Sequence, residues 1–160
     1  MPKKNPQAAS ELKHILSSVI KSLKASGDIS QEDLLSFFEE DTLPIDIFTP
    51  KLGILESAVK YLHEQRQAGF SEIARKLNRD PRTIWASFAA AKAKHPSRFK
   101  ITNEVGIPVK ALANRNLSPL ESVSLELSHL PYHQIAKLLH RDQRNIWNTV
   151  NKARKHEKRA

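Results

Sequence analysis

Residues 73–85 read IARKLNRDPRTIW, and residues 135–147 read IAKLLHRDQRNIW. The two stretches align without a gap, and eight of the 13 positions are identical. The likeness continues on both sides. Downstream, Ala91 and Lys92 answer to Ala153 and Arg154. Upstream, Leu55, Glu56 and Ser57 answer to Leu120, Glu121 and Ser122, and Leu43, Pro44 and Ile45 answer to Ile107, Pro108 and Val109. The second copy is three residues shorter between its first two helices. Collinear matches of this length mark an internal repeat, and a repeat decides the fold before any single element does.

One copy read residue by residue gives three helices. Leu55, Ala58, Val59 and Leu62 recur at helical spacing, as do Leu120, Val123 and Leu127. In the second copy Ser118, Pro119 and Glu121 form a capping box with proline at the first helical position, whereas Gly53 is a weaker cap in the first. A short second helix is expected over 70–77 and 132–139. Asp80 and Asp142 then cap a third helix over 81–94 and 143–156, with Pro81 suited to its first position. Ile84, Phe88 and Ala91 share one face of that helix, as do Ile146, Val150 and Ala153.

Outside the repeat, Leu12, Ile15, Leu16, Val19, Ile20 and Leu23 form a helical stripe. A turn follows at Ser26, Gly27 and Asp28, and Ser30 and Asp33 can cap a second helix carrying Leu34, Leu35, Phe37 and Phe38. The expected architecture is all-α. A tail and acidic helical hairpin fill 1–42, repeated three-helix modules fill 43–96 and 107–160, and a linker at 97–106 joins them. The second module ends in a basic tail.

Charge follows the same division. Residues 1–50 hold 5 Lys/Arg against 8 Asp/Glu, and residues 51–160 hold 21 against 9, so the basic excess behind the net +9 lies after residue 50. A pI near 9.9 is an expected footprint of a nucleic-acid binder, and also of other polyanion binders. The absence of cysteine excludes disulfides, thiolate zinc sites and cysteine nucleophiles. No apolar run approaches the ~18 residues of a membrane span. The expectation is an intracellular, nucleoid-associated protein of the cytoplasm.

Ile73, Ala74, Leu77, Thr83 and Ile84, repeated as Ile135, Ala136, Leu139 and Ile146, resemble the helix-turn-helix of sigma-factor region four and of transposase and resolvase DNA-binding domains. Two features depart from that pattern. The turn position usually given to glycine holds Asn78 and His140, which tolerate left-handed backbone better than most residues. The next position holds Arg79 and Arg141, which points to a more exposed turn. Arg79–Asp80 and Arg141–Asp142 are candidate ion pairs there.

The resemblance implies that the third helix enters the major groove of double-stranded DNA. Base-reading candidates are Arg82 and Thr83 in the first copy and Gln143, Arg144, Asn148 and Asn151 in the second. Arginine reads guanine, and Asn or Gln reads adenine, each bidentately. Phosphate-binding candidates are Arg75, Lys76, Lys92, Lys94, Lys137, Arg154, Lys155 and Lys158, with Arg159 beside them. Only Arg82 in the first copy can read a base edge bidentately, so the second copy is expected to specify and the first to anchor. Trp85 and Trp147 are expected to pack against the first helix of their own copies. An extended linker of about a dozen residues spans up to ~40 Å, enough for one chain to occupy two successive major grooves.

No cofactor is expected. His129 and His133 are four residues apart but lack a completing ligand, so no metal is expected either. No phosphate loop or nucleophile–base pair points to an enzyme. The leading expectation is sequence-specific regulation of transcription. The alternatives are an architectural DNA binder, a protein-interaction adaptor, and the DNA-binding half of a recombinase. The hairpin either covers the first module or pairs with a second copy as a homodimer.

Overall fold

The helix starts at Asp80, Ser118 and Asp142 follow from the side chains that cap them. Ser118 Oγ accepts from the Glu121 amide at 3.2 Å while Glu121 Oε2 accepts from the Ser118 amide at 3.0 Å, a reciprocal capping box. Glycine at position 53 has no such side chain, yet Glu56 Oε2 still accepts from its amide at 3.0 Å. The conserved half of the box is therefore the glutamate, present in both copies.

The computed structural model describes residues 6–27, 41–102 and 105–159. The fold is mostly helical, with one two-stranded sheet among the described residues. Helix α1 spans Pro6–Ser26. Strand β1 (Thr42–Pro44) leads into a 3-10 turn (Ile45–Ile47), then α2 (Ile54–Glu64), α3 (Phe70–Lys76) and α4 (Pro81–Lys94). The series then recurs: β2 (Gly106–Pro108), a 3-10 segment (Val109–Ala113), α5 (Pro119–Glu126), α6 (Tyr132–Leu139) and α7 (Gln143–Arg159). The three-residue difference between copies falls on the first helix, 11 residues in α2 and 8 in α5.

The chain divides into two compact units, 1–40 and 41–160. In the first, α1 leaves Ile15, Leu16 and Val19 exposed, and Gly27 follows it at φ 71°, the left-handed conformation favoured after a helix end. The second helix expected over 30–40 lies outside the described residues.

In the second unit the two copies are interlocked. Strands β1 and β2 pair antiparallel, Leu43 opposite Ile107, Thr42 opposite Pro108 and Pro44 opposite Gly106. Exchanging the sequence-equivalent residues maps this register onto itself. The flanking hydrogen bonds obey the same exchange: Ile45 N–H donates to Val105 O at 3.0 Å, and Val109 N–H donates to Asp41 O at 2.8 Å. Packing is reciprocal too, since the 3-10 segment of each copy lies against the second helix of the other, and α2 meets α5. The copies are related by an internal pseudo-two-fold axis through the Leu43–Ile107 pair.

Two small cores thereby become one. Leu43, Ile45 and Ile107 are buried in a single cluster that runs from Ile73 and Ile84 to Ile135, Ile146 and Val150. Each such aliphatic contributes about 1.5–3 kcal/mol by burial, a contribution the central residues lack in an isolated copy.

The segment 97–106 is not the free spacer expected from its sequence. Its described residues Ser97, Phe99 and Thr102 bond back to the first copy. Gln65 exchanges two hydrogen bonds with the backbone of Phe99, at 3.2 and 3.1 Å. Lys60, fully buried, pairs with Glu64, donates to Ser97 O at 2.8 Å and lies 5.1 Å from the Phe99 ring centroid. The cost of burying a lysine is met by these partners, and the segment is fixed as a result. The distance between copies is therefore set by the strand pair, not by an extended linker.

Strand approach requires glycine at one position. A Cβ on Gly106 would stand 2.9 Å from Thr42 Cβ. Gly106→Val is expected to cost about 1–3 kcal/mol in chemical denaturation, and Thr42→Gly in the same chain to recover part of it. Additive losses in the double variant would show that the two residues do not meet.

Candidate nucleic-acid interface

The joint between the second and third helices is built alike in both copies. Asn78 and His140 have φ of 49° and 51°, the left-handed conformation their residue types tolerate. The following amides reach back, Arg79 N–H to Ala74 O and Arg141 N–H to Ala136 O, both at 2.9 Å. This i to i−5 bond closes a helix end of the Schellman type. The next residue starts the third helix: Asp80 Oδ1 accepts from the Arg82 amide at 2.8 Å, and Asp142 Oδ1 accepts from the Arg144 and Asn145 amides at 2.9 and 3.2 Å. These aspartates cap helices, and they do not pair with the arginines beside them. Arg141 donates instead to Leu52 O of the other copy at 3.3 Å, while Arg79 Nε and Nη2 are buried without a partner among the described residues.

Burial fixes which face of each third helix is free. Ile84 and Ala91 are buried on α4, and Ile146, Val150 and Ala153 on α7. The opposite stripe of α7 carries Arg144, Trp147 and Asn148, exposed, and Asn151, half-buried; the equivalents on α4 are Arg82, Trp85, Ala86 and Ala89, all exposed. Gln143 and Thr83 are exposed in the first turns of the two helices. Arg144, Asn148 and Asn151 thus share one face of α7, whereas Gln143 lies on the side of Ile146 and Val150, and Thr83 stands about 100° from Arg82 round α4.

The tryptophans differ from expectation. Trp85 is 61% and Trp147 52% exposed, so neither packs on the first helix of its copy. The reason is angular: each follows the core isoleucine by one residue, about 100° round the helix, and the core side is already filled. In the first copy Phe88, stacked among His63 and Phe70, occupies that space. The two exposed tryptophans stand at equivalent positions, on the same stripes as Arg82 and Arg144. Asn145, exposed beside Arg144, is a further polar group there that the sequence reading passed over.

The phosphate-binding candidates divide by copy. In the second, Lys137, Arg154, Lys155 and Lys158 are exposed and have no ion pair among the described residues, and Arg75 in the first is like them. Lys76, Lys92 and Lys94 are engaged. Lys76 pairs with Asp41 and, at 3.2 Å, with Glu72. Lys92 pairs with Glu64 at 2.8 Å, and Lys94 with Glu56 at 2.8 Å. The equivalent glutamate, Glu121, meets Lys152 at 3.3 Å. Each copy therefore ties the end of its third helix to the capping glutamate of its first.

Among the described residues no group of three His, Cys, Asp or Glu is placed to hold a metal ion, and no helix is long and apolar enough to cross a membrane.

The carboxylates of this frame carry a pH dependence. Burial raises Glu56 and Glu121, but hydrogen bonds from Lys94 and Gly53, and from Ser118 and Lys152, outweigh it and hold both below the ordinary 4.5. At Asp41 the Lys76 hydrogen bond is the largest influence and outweighs burial, so that carboxyl is also lowered. A depressed carboxylate stabilises the fold above its unfolded pKa and loses that contribution as pH falls through its folded value. The thermal midpoint is expected to hold from pH 7 down to about 5 and to fall below about 4.5. Glu121→Ala should cost on the order of 1–3 kcal/mol at pH 7, with the difference from wild type shrinking in acid. A pH-independent difference would contradict the charge pairing.

No family model, no curated protein and no solved structure matches this chain.

Proposed function

We propose that the chain is a sequence-specific double-stranded DNA binder, a regulator of transcription acting at the nucleoid, and that its two helix-turn-helix modules work as one internally paired reader. The observation that carries this is the recurrence, in both copies, of a capped third helix whose free face presents arginine and tryptophan at the same positions. Helix-turn-helix dimers place two recognition helices in major grooves about 34–36 Å apart, and the symmetry of the site mirrors that of the protein. Here one chain supplies both halves. A two-fold relation between readers asks for inverted half-sites, not direct repeats.

The halves would not be identical. Arg144, Asn148 and Asn151 on α7 offer bidentate donors and acceptors, whereas on α4 Arg82 is followed at the equivalent positions by Ala86 and Ala89. Both arginines are expected to reach guanine. The second copy specifies the sequence, and the first anchors. Exposed Arg75, Lys137, Arg154, Lys155 and Lys158 contact phosphates and make the affinity fall with salt. A homodimer through the N-terminal hairpin is not needed to complete such a site.

Selection from a random duplex pool tests this. The expected winner holds two inverted, unequal halves about one helical turn apart, bound ~10³-fold or more above bulk DNA. Arg144→Ala should weaken binding by about 1–3 kcal/mol and relax one base position, while Arg82→Ala should relax its half-site less. Enrichment of direct repeats would contradict the paired reader. Binding without any enriched sequence would favour an architectural role, and no binding at low salt would leave the exposed tryptophans as a protein-contact surface.

A further inference from the structure

The pseudo-symmetry pairs each surface feature of one copy with a counterpart in the other, and the two turns differ. At the turn of the first copy lies a cleft of roughly 580 Å³ lined by Ser71, Arg75, Asn78, Arg79 and, from the second copy's loop, Arg115. Three arginines line it, and among the described residues no carboxylate does. Two atoms of Arg79, Nε and Nη2, are buried and have no partner among the described residues. Burial, and after it the charge of Arg115, pull Arg79 below the ordinary arginine value.

The equivalent place in the second copy is resolved differently. Arg141 donates to Leu52 O and to His140 O, both at 3.3 Å. Lys137 stands where Arg75 does, His140 where Asn78 does, and Pro50 where Arg115 does. A backbone contact common to both DNA half-sites needs only the basic residue that both copies have here, Arg75 and Lys137. The arginine triad occurs in one only. Gathering like charges about an unsatisfied guanidinium is unfavourable unless an anion joins them.

We propose that this cleft binds a phosphate-type oxyanion carried by a small molecule. Arg75 and Arg115 flank the anion, and planar guanidinium forks suit phosphate oxygens in bidentate geometry. Ser71 offers a hydroxyl at the rim. Asn78 and Arg115 already join the copies here: Asn78 Nδ2 donates to Ala113 O at 3.2 Å and Arg115 Nη1 to Asn78 O at 3.1 Å. An occupant would therefore tighten the seam between the two modules. The inference needs no DNA and stands apart from the proposed reading of sequence.

Calorimetric titration of the full chain with inorganic phosphate, at fixed ionic strength in chloride, tests it. The expected result is one saturable site per chain, weakened at least about ten-fold, the scale of one charge-assisted hydrogen bond, in both Arg75→Ser and Arg115→Ser. Lys137→Ser, the matched change in the second copy, should leave it unaltered. Arg75→Ser keeps the test decisive should Arg115→Ser unfold, because Arg75 has no ion pair among the described residues. Absence of saturable phosphate binding by the wild type, or an equal loss in Lys137→Ser, overturns the proposal. So does a third result: no phosphate binding, but duplex DNA binding weakened by Arg115→Ser, which would assign the cleft to the DNA backbone.

Discussion

Everything in the repeated region depends on three residues of one copy pairing with three of the other. Leu43 and Ile107 face each other across the shortest of sheets, and two three-residue strands have little stability of their own. They persist because they lie over a core to which both copies contribute. The strands set the dyad, and the dyad sets how the two third helices are placed relative to each other. A linker of the same length without that pairing would leave the modules independent, and their affinities would be joined only through local concentration.

The helices were legible because their determinants are local. Asp80, Asp142, Ser118 and Pro81 act within one turn of their own positions, and Asn78 and His140 declare a left-handed joint by residue type alone. Helix α7 runs three residues beyond its expected end, through Glu157, Lys158 and Arg159, where nothing in the sequence forms a stop. The strand pair was not legible. Leu43-Pro44-Ile45 and Ile107-Pro108-Val109 are too short to show alternation, and their partners lie more than 60 residues away.

The candidate site was legible in part for the same reason. Arg82, Arg144 and Asn148 are exposed away from the core isoleucines, as helical spacing predicts, whereas Gln143 is exposed only because it stands in the first turn of α7. Trp85 and Trp147 were assigned by size, on the premise that large apolar groups are buried, and geometry reversed it. Lys76, Lys92 and Lys94 carry the right charge, but Asp41, Glu64 and Glu56 reach them only in the folded chain. Arg115 could not be found from sequence at all, because it meets Arg79 only across the dyad.

The central claim is that both reading faces of one chain engage one duplex together. The chain has two tryptophans, one on each face, so the two indole N–H resonances report on them separately. Titration with one equivalent of a selected duplex should move both signals together and saturate both at a one-to-one ratio. Movement of one signal alone, or saturation of the second only at a higher ratio, would contradict a single paired reader.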